Sequence, residues 1–441
     1  MVAETIFALA SGAGRAGVAV FRLSGPAAGS ALEALSRRPL PSPRRATRVR
    51  LADPAGELLD DGLALWFPAP ASFTGEDVVE LHTHGGRAVI AAVSDALVGL
   101  GLRPAEPGEF SRRAFHNGKL DLTAAEAIAD LVDAETAAQR RQALRQLDGD
   151  LAALTDRWRD ALLRALAWFE AQIDFPEDDL PPEVMDQVWA AVAALRDELA
   201  AHLAEAPRGE RLRQGLQVAI LGAPNVGKSS LLNRLARRDA AIVSAKAGTT
   251  RDVVEVHLDL GGYPVQLADT AGLREAAEDI EEEGIRRALA RWQSADLGIV
   301  VFDGAALPDL DPATLGLLDD RSLVVVNKAD LAGALPAAIG GHAIIAVSAT
   351  TGQGVEHLEA AVAAAAAELL SQGTAPVPTR ARHRSALAEC LAALDRSRIA
   401  PLPELAAEDL RLAARALGRI TGRVDVEDLL DVIFRDFCIG K

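Results

Sequence analysis

Residues 222–229 read GAPNVGKS, the spacing G-x-x-x-x-G-K-[ST] that wraps nucleotide phosphates. Glycines let backbone amides approach the phosphate oxygens, and the helix that follows adds partial positive charge at its N-terminus. In this frame Asn225, Val226 and Gly227 line the loop. Lys228 reaches the β- and γ-phosphates, the Ser229 hydroxyl faces Mg²⁺, and Ser230 follows it on the helix. Downstream, Asp269, Thr270, Ala271 and Gly272 spell DTAG. A carboxylate there holds Mg²⁺ through water, and the Gly272 amide senses the γ-phosphate. Asn327, Lys328, Ala329 and Asp330 spell NKAD. The Asp330 carboxylate accepts both hydrogens of the guanine N1/N2 edge, a pair that adenine does not offer, and a site built on such bonds discriminates strongly. Ser348, Ala349 and Thr350 supply a loop against the base. Four such segments in this order imply guanine-nucleotide binding and hydrolysis of GTP to GDP and phosphate.

Between the first two segments, Ser244, Ala245, Lys246, Ala247, Gly248, Thr249 and Thr250 form a small-residue loop. One threonine of this loop closes over Mg²⁺ and the γ-phosphate. Thr250 is the choice, with Thr249 its neighbour and rival. Leu273 stands where Ras-type proteins place a water-orienting glutamine, and leucine cannot orient water. The acidic run 272–284 offers Glu275, Glu278, Asp279, Glu281, Glu282 and Glu283 for that task, or is a solvated face. Asn225 either stabilises the turn or turns its amide oxygen to a monovalent cation. K⁺ beside the phosphates supplies the charge that an arginine finger supplies elsewhere.

These segments need strands that end at one edge. LQVAILG, VVEVHLDL, YPVQLAD, LGIVVFD, LVVVN and AIIAVSA predict six strands, one antiparallel, in a mostly parallel Ras-like sheet over 214–372. Gly261-Gly262 is a hairpin signal between two of them. The alanine-rich run 355–370 predicts the last helix. Residues 1–118 predict an α+β domain, with strand-like runs at Gly17–Leu23, Leu63–Phe67 and Val78–His82, a surface loop at 39–45 and a helix near 87–100. Residues 119–213 are helical. Leu144, Leu147, Leu151, Leu154, Trp158, Ala161, Ala165 and Trp168 alternate spacings of three and four, the seam of a helix bundle. DFPEDDLPP at 174–182 marks a turn, and a further helix runs to about 206. Residues 373–441 have too little apolar surface to stand alone and complete a discontinuous helical domain, with the G domain inserted in it. Cys390 reads as a small buried hydrophobe, and His82 and His84 find no third metal ligand nearby.

Composition bounds the rest. The formal net charge of -17 excludes a general polyanion binder, so contact with RNA must be local or shared with a partner. Two cysteines suit a reducing compartment, and the N-terminus lacks a signal peptide pattern. No apolar run reaches the ~20 residues that span a bilayer. The expectation is a cytoplasmic protein with no membrane partner.

AGTTRD (247–252), DTAGLRE (269–275), the block PGEFSRRAFHNGKLDLTAAEAIADL (107–131) and the terminal FCIGK (437–441) resemble the bacterial tRNA modification GTPases of the TrmE-Era-EngA-like G protein family. The likeness covers essentially the whole chain. It implies a homodimer whose residues 1–118 bind a tetrahydrofolate, either 5-formyl- or methylene-tetrahydrofolate, and dimerise. With a partner protein, MnmG, such enzymes place a carboxymethylaminomethyl or aminomethyl group on C5 of a tRNA wobble uridine. It further implies K⁺-stimulated hydrolysis driven by G-domain dimerisation, with Asn225, Ser244, Lys246 and Thr249 as K⁺ ligands; Lys246 can ligate only through its carbonyl. It puts the water-orienting carboxylate at Glu281, beside the catalytic Lys228 and Thr250. The folate positions fall on Arg22, Glu80, Lys119 and Lys441, and Cys438 lies in the terminal motif. The alternative is a regulatory ribosome-assembly GTPase that binds rRNA, which has no reason to carry the 107–131 block or FCIGK. A membrane-remodelling G protein would need a basic amphipathic helix, and none is present.

Overall fold

A computed structural model describes residues 4–12, 14–174, 182–237, 241–242, 255–269, 292–371, 376–424, 427–435 and 437–440. The chain divides into two compact units, 1–132 with 146–192 and 392–441, and 133–145 with 193–391.

The first unit begins with a six-stranded sheet. Its strands are β1 (Ile6–Leu9), β2 (Ala16–Ser24), β3 (Thr47–Ala52), β4 (Leu58–Phe67), β5 (Val78–Gly85) and β6 (Arg103–Pro104), in the order β3-β4-β5-β2-β1-β6. Only β1 and β6 pair in parallel. Alternation along the strands sorts the two faces. Phe21, Leu23, Ala64, Trp66, Val79 and Leu81 join Leu32, Leu35, Val93 and Leu97 of helices α1 (Ala28–Ser36) and α2 (Arg87–Gly99) in one core. Arg22, Glu80 and His82, one residue out of phase, therefore project from the opposite face. Helices α3 (Glu109–His116) and α4 (Leu122–Asp133) follow. The charged residues of the 107–116 block are staples. Glu109 accepts from Arg103 at 2.7 Å and Arg113 at 2.9 Å, and Arg113 also reaches Glu76 at 3.0 Å. Burial pushes the Glu109 carboxyl up, but donors from Arg103, the Glu106 N–H and Arg113 outweigh it and hold the group below its usual range.

In the helical part of this unit, α6 (Asp150–Asp174) packs along the helix Pro403–Thr421. The seam differs from the sequence expectation in three ways, the first being that Leu144 is 40 % exposed and does not belong to it. Gly149, at φ +92°, separates α6 from the helix Ala137–Leu147, which is α5, so one continuous helix is not formed. The buried stripe then runs Leu151, Leu154, Trp158, Leu162, Ala165, Phe169, and Trp168 is 44 % exposed. A straight helix of 3.6 residues per turn drifts away from a 3.5-residue repeat, which moves the stripe from Ala161 and Trp168 to their C-terminal neighbours. Each fully buried Leu or Phe on it contributes about 1.5–3 kcal/mol of burial. The tail closes back on the N-terminal residues. Leu430, Phe434 and Phe437 cluster with Leu122 and Ala125. Ile439 bridges to Pro107, and Gly440, at φ +100°, sits so near the Leu9 carbonyl that a Cβ would stand 2.7 Å from it.

The second unit is built on an eight-stranded sheet, where six were expected. β7 (Leu216–Leu221), β9 (Glu255–Leu260), β10 (Tyr263–Asp269), β11 (Leu297–Asp303), β12 (Ser322–Asn327) and β14 (His342–Ala346) are the six long strands. The additions are two-residue edge pieces, β8 (Ala241–Ile242) and β13 (Ala338–Ile339), too short to leave a period-two signal. The order is β13-β14-β12-β11-β7-β10-β9-β8, with β14, β12, β11, β7 and β10 parallel. Central strands read as unbroken apolar runs because both faces are covered. Leu231 and Leu235 of α8 (Lys228–Ala236) cover one face together with Leu358, Val362 and Ala366 of the helix Val355–Leu370; Trp292 and Ile339 cover the other. Helix α7 (Pro182–Gln214) continues through Pro207 and ends eight residues beyond the expected stop near 206. Its Gly209 carbonyl accepts from Gln142 Nε2 at 3.2 Å, and its Arg213 carbonyl from Gln139 Nε2 at 3.0 Å. No helix among the described residues is long and apolar enough to cross a membrane.

Candidate functional site

The parallel strands bring the nucleotide segments to one edge of the sheet. Register pairs Ile220 with Asp269, Asp303 with Asn327, and Val326 with Ala346, so β7, β10, β11, β12 and β14 all end at that edge. The loop after β7 turns on residues that tolerate unusual backbone. Gly222 has φ +144°, Asn225 +63° and Gly227 +95°. A side chain at 222 would strike the Val301 carbonyl, and one at 227 would strike the Asn327 amide. Asn225 is therefore a turn residue in the left-handed region, and it is exposed. Lys228 Nζ lies over the loop, donating to the Gly222 carbonyl at 2.9 Å and the Ala223 carbonyl at 2.8 Å. Val226 is buried, while Ser229 and Ser230 open the first turn of α8.

Asn327 joins three segments. It is 2 % exposed, its Nδ2 donates to the Val226 carbonyl at 2.8 Å, and its Oδ1 accepts from the Ala349 N–H at 3.0 Å. The loop after β7 and the loop after β14 are thus tied through one amide. Lys328, at φ +58°, donates to Asp303 Oδ2 at 2.6 Å. Asp303, at the end of β11, also caps the short turn after it by accepting from Ala305 N–H at 3.0 Å. It was not among the sequence candidates, although its place at the end of LGIVVFD was a usable signal. Ala329 N–H donates to the Val347 carbonyl at 3.0 Å, which turns Asp330 outward. Asp330 is exposed and has no ion-pair partner among the described residues. Ser348 is fully buried, with Ala349 and Thr350 following it. A groove of about 980 Å³ beside this loop is lined by Ser230, Arg234, Arg237, Thr350 and His357.

Several expected residues lie outside the described residues: Ser244, Ala245, Lys246, Ala247, Gly248, Thr249, Thr250, Thr270, Ala271, Gly272, Glu281 and Lys441. Asp269 is placed by its backbone alone, as the last residue of β10.

In the first unit, Arg22 and Glu80 stand opposite each other on β2 and β5 and form an ion pair at 2.9 Å, both side chains about one-fifth exposed. The Arg22 guanidinium lies 5.5 Å from the Phe73 ring centre and 5.9 Å from that of Phe110. Lys119 is exposed, and its Cε would lie 3.3 Å from a Cβ at Gly75. Arg22 and Lys119 thus both border the loop 73–75. His82 Nε2 is buried without a hydrogen-bond partner among the described residues, 3.8 Å from Glu80 Oε2. His84 Nδ1 instead meets Asp60 Oδ1 at 2.7 Å, which separates the two histidines' roles. No cluster of metal-binding side chains occurs among the described residues.

Two family models match. Residues 5–119 match the GTP-binding protein TrmE N-terminus, and residues 122–438 match the MnmE helical domain. A tRNA modification GTPase MnmE of Paramagnetospirillum magneticum is 65% identical over 441 residues, covering 100% of both chains. One of Rhodospirillum rubrum is 60% identical, again over 100% of both. Among solved structures, the G domain of the T. maritima FeoB iron transporter is 26% identical, covering 34% of this chain and 98% of its own, with a TM-score of 0.26.

Proposed function

The chain belongs to the MnmE family of tRNA modification GTPases, and from that premise we propose the chemistry of each of its sites. The enzyme hydrolyses GTP. The observation that carries the site reading is the common edge at which the loop after β7 and the ends of β10, β12 and β14 meet. There the loop 225–230 holds the phosphates, Asp330 reads guanine, and Ala349 lies beside the base. Ser229 and Thr250, with Asp269 through water, would hold Mg²⁺, which would supply positive charge against that developing on the phosphate oxygens. Lys228 adds a fixed positive charge, and Glu281 orients the attacking water in place of the missing glutamine.

Asn225, with Ser244, Lys246 through its carbonyl and Thr249, would hold K⁺ when two G domains face each other, and that ion would supply the charge of the missing arginine finger. The exposure of Asn225 on this loop supports this reading, because its side chain is open to a ligand. The first 118 residues form the folate-binding and dimerisation domain, 119–213 and 373–441 the helical domain, and 214–372 the G domain. A reduced folate lies along Arg22, Glu80 and Lys119. Lys441, which lies outside the described residues, is assigned to the same folate site by the family resemblance; its neighbour Gly440 sits against Leu9 of β1. Together with MnmG, the homodimer modifies C5 of a tRNA wobble uridine in the cytoplasm. MnmG supplies the basic surface that a chain of net charge -17 lacks.

The test is GTP turnover of the full chain in KCl and in NaCl. Turnover is fast in K⁺ and slow in Na⁺, and Asn225→Ala erases the difference while nucleotide still binds. A wild-type rate indifferent to the cation would refute the K⁺ site and leave the GTPase standing.

A further inference from the structure

The loop carrying Ser348, Ala349 and Thr350 is a closed turn. The Thr351 N–H donates to Ser348 Oγ at 3.1 Å, the Gly352 N–H to the Ser348 carbonyl at 2.8 Å, and the Ser348 N–H to the Gln353 carbonyl at 2.9 Å. Asn327 holds its inner side through the Ala349 N–H. Its outer side meets α8, where Arg234 Nη2 donates to the Thr351 carbonyl at 3.1 Å. Gly352 adopts φ +89°, and a Cβ there would collide with the Arg234 guanidinium. Glycine at 352 therefore does two things: it permits a left-handed turn and leaves room for the guanidinium. Arg234 has no carboxylate partner among the described residues, and it lies on the same helix as Lys228, about two turns further on.

We propose that Arg234 is a positioning residue for guanine-nucleotide binding. It latches the base loop to the helix that begins at the phosphate loop, so the two ends of the site assemble together. The proposal rests on the reading of residues 348–350 as the base loop. Asn327 ties that loop to the phosphate loop from inside, and Arg234 ties it to α8 from outside. A base loop secured on one side only opens more often, and bound nucleotide escapes through the opening. The latch acts on residence time and not on the phosphate chemistry, because neither Arg234 nor Thr351 belongs to the phosphate loop.

Displacement of a fluorescent GDP from the full chain, followed by stopped flow, tests this. Arg234→Ala speeds dissociation of GDP and GTP roughly three- to tenfold, the effect of one partly exposed hydrogen bond from a charged donor. Arg234→Met keeps the aliphatic stem without the donor and behaves like Arg234→Ala, whereas Arg234→Lys restores part of the wild-type rate. KM for GTP rises in Arg234→Ala while kcat at saturation stays unchanged. Gly352→Ala, which displaces the guanidinium, gives the same phenotype and adds little in the Arg234→Ala background. A wild-type dissociation rate in Arg234→Ala, wild-type behaviour of Arg234→Met, or a fall in kcat at constant KM would each overturn the latch. If Asp330→Asn leaves the preference for GTP over XTP unchanged, the base-loop reading itself fails. Tight GDP binding with an unaffected Arg234→Ala sinks the latch alone.

Discussion

Replacing Asn327 by alanine removes two hydrogen bonds from a residue only 2 % exposed. The Val226 carbonyl loses its 2.8 Å donor and the Ala349 N–H loses its 3.0 Å acceptor. Alanine cannot replace either, and Gly227 leaves a gap where the amide stood, because its missing Cβ is what made room for Asn327 Nδ2. A buried backbone group left without a partner costs about 1–3 kcal/mol. In the free protein the loops relieve that cost by opening to water. Nucleotide binding must close them and bury both groups again, so the cost falls on affinity. Two groups at the lower part of the range amount to about 2–4 kcal/mol, or a rise in Kd for GDP of roughly thirty- to a thousandfold. Calorimetric titration of GDP into the full chain measures it, and a thermal scan of the same sample checks that the variant is folded. A folded Asn327→Ala protein whose Kd stays within about twofold of wild type would refute the reasoning.

Asp330→Asn removes the acceptor for the guanine N1/N2 hydrogens, so GTP affinity falls and XTP affinity rises in a competition assay; equal GTP binding by mutant and wild type removes the assignment. Arg22→Ala breaks the 2.9 Å pair with Glu80 and, on the folate site proposed above, weakens binding of 5-formyltetrahydrofolate by the full chain, read by calorimetry. A thiol reagent labels one cysteine per native chain, the exposed Cys438, and two after denaturation, because Cys390 is fully buried. Burial pushes the Cys390 thiol up to about 12 from its ordinary 9.0. Above about pH 9 the unfolded chain ionises first, so this contribution to stability is present below that pH and is lost as pH rises towards 12. A Cys390→Ala variant loses that part of the alkaline slope in urea unfolding, although its midpoint is lower throughout.

What was legible in the sequence of the second unit follows from burial on both faces. LQVAILG, LGIVVFD and LVVVN are continuous apolar runs because helices cover each side of their strands, and such runs announce a parallel sheet. β8 and β13 were not legible, since two residues carry no period. The helix expected to end near 206 runs on through Pro207, although proline removes one donor and crowds the preceding turn. Local cost decides only where nothing offsets it, and here the carbonyls of Gly209 and Arg213 gain side-chain donors from α5. The seam of α6 was found but placed one residue early at its C-terminal half. Identical alanines and two neighbouring aromatic residues, Trp168 and Phe169, left the choice to helical drift, which spacing alone does not resolve.

The candidate sites divide in a different way. Residues proposed to meet a ligand through their own chemistry, such as Lys228, Ser229 and Asp330, sit in short segments whose spacing is fixed by the loop itself, so sequence can nominate them. Residues that act by joining segments do not announce themselves. Asp303 meets Lys328 from twenty-five positions away, and Arg234 meets Thr351 from 117 positions away. Neither distance is visible until the sheet brings the strands' ends together. The 107–131 block shows the reverse case. Its spelling carried the resemblance in the N-terminal third, yet its Glu109 and Arg113 pair with Arg103, Glu76 and each other. A distinctive segment can therefore mark a staple, and an undistinguished arginine on a helix can govern how long a nucleotide stays. That asymmetry is why Arg234 and Glu109 belong in the same mutational series. Glu109→Gln perturbs stability of the first unit and leaves GDP release unchanged, whereas Arg234→Met changes release and leaves the thermal midpoint near wild type. Exchanged phenotypes would mean that the pairing geometry, and not merely one residue's role, has been misread.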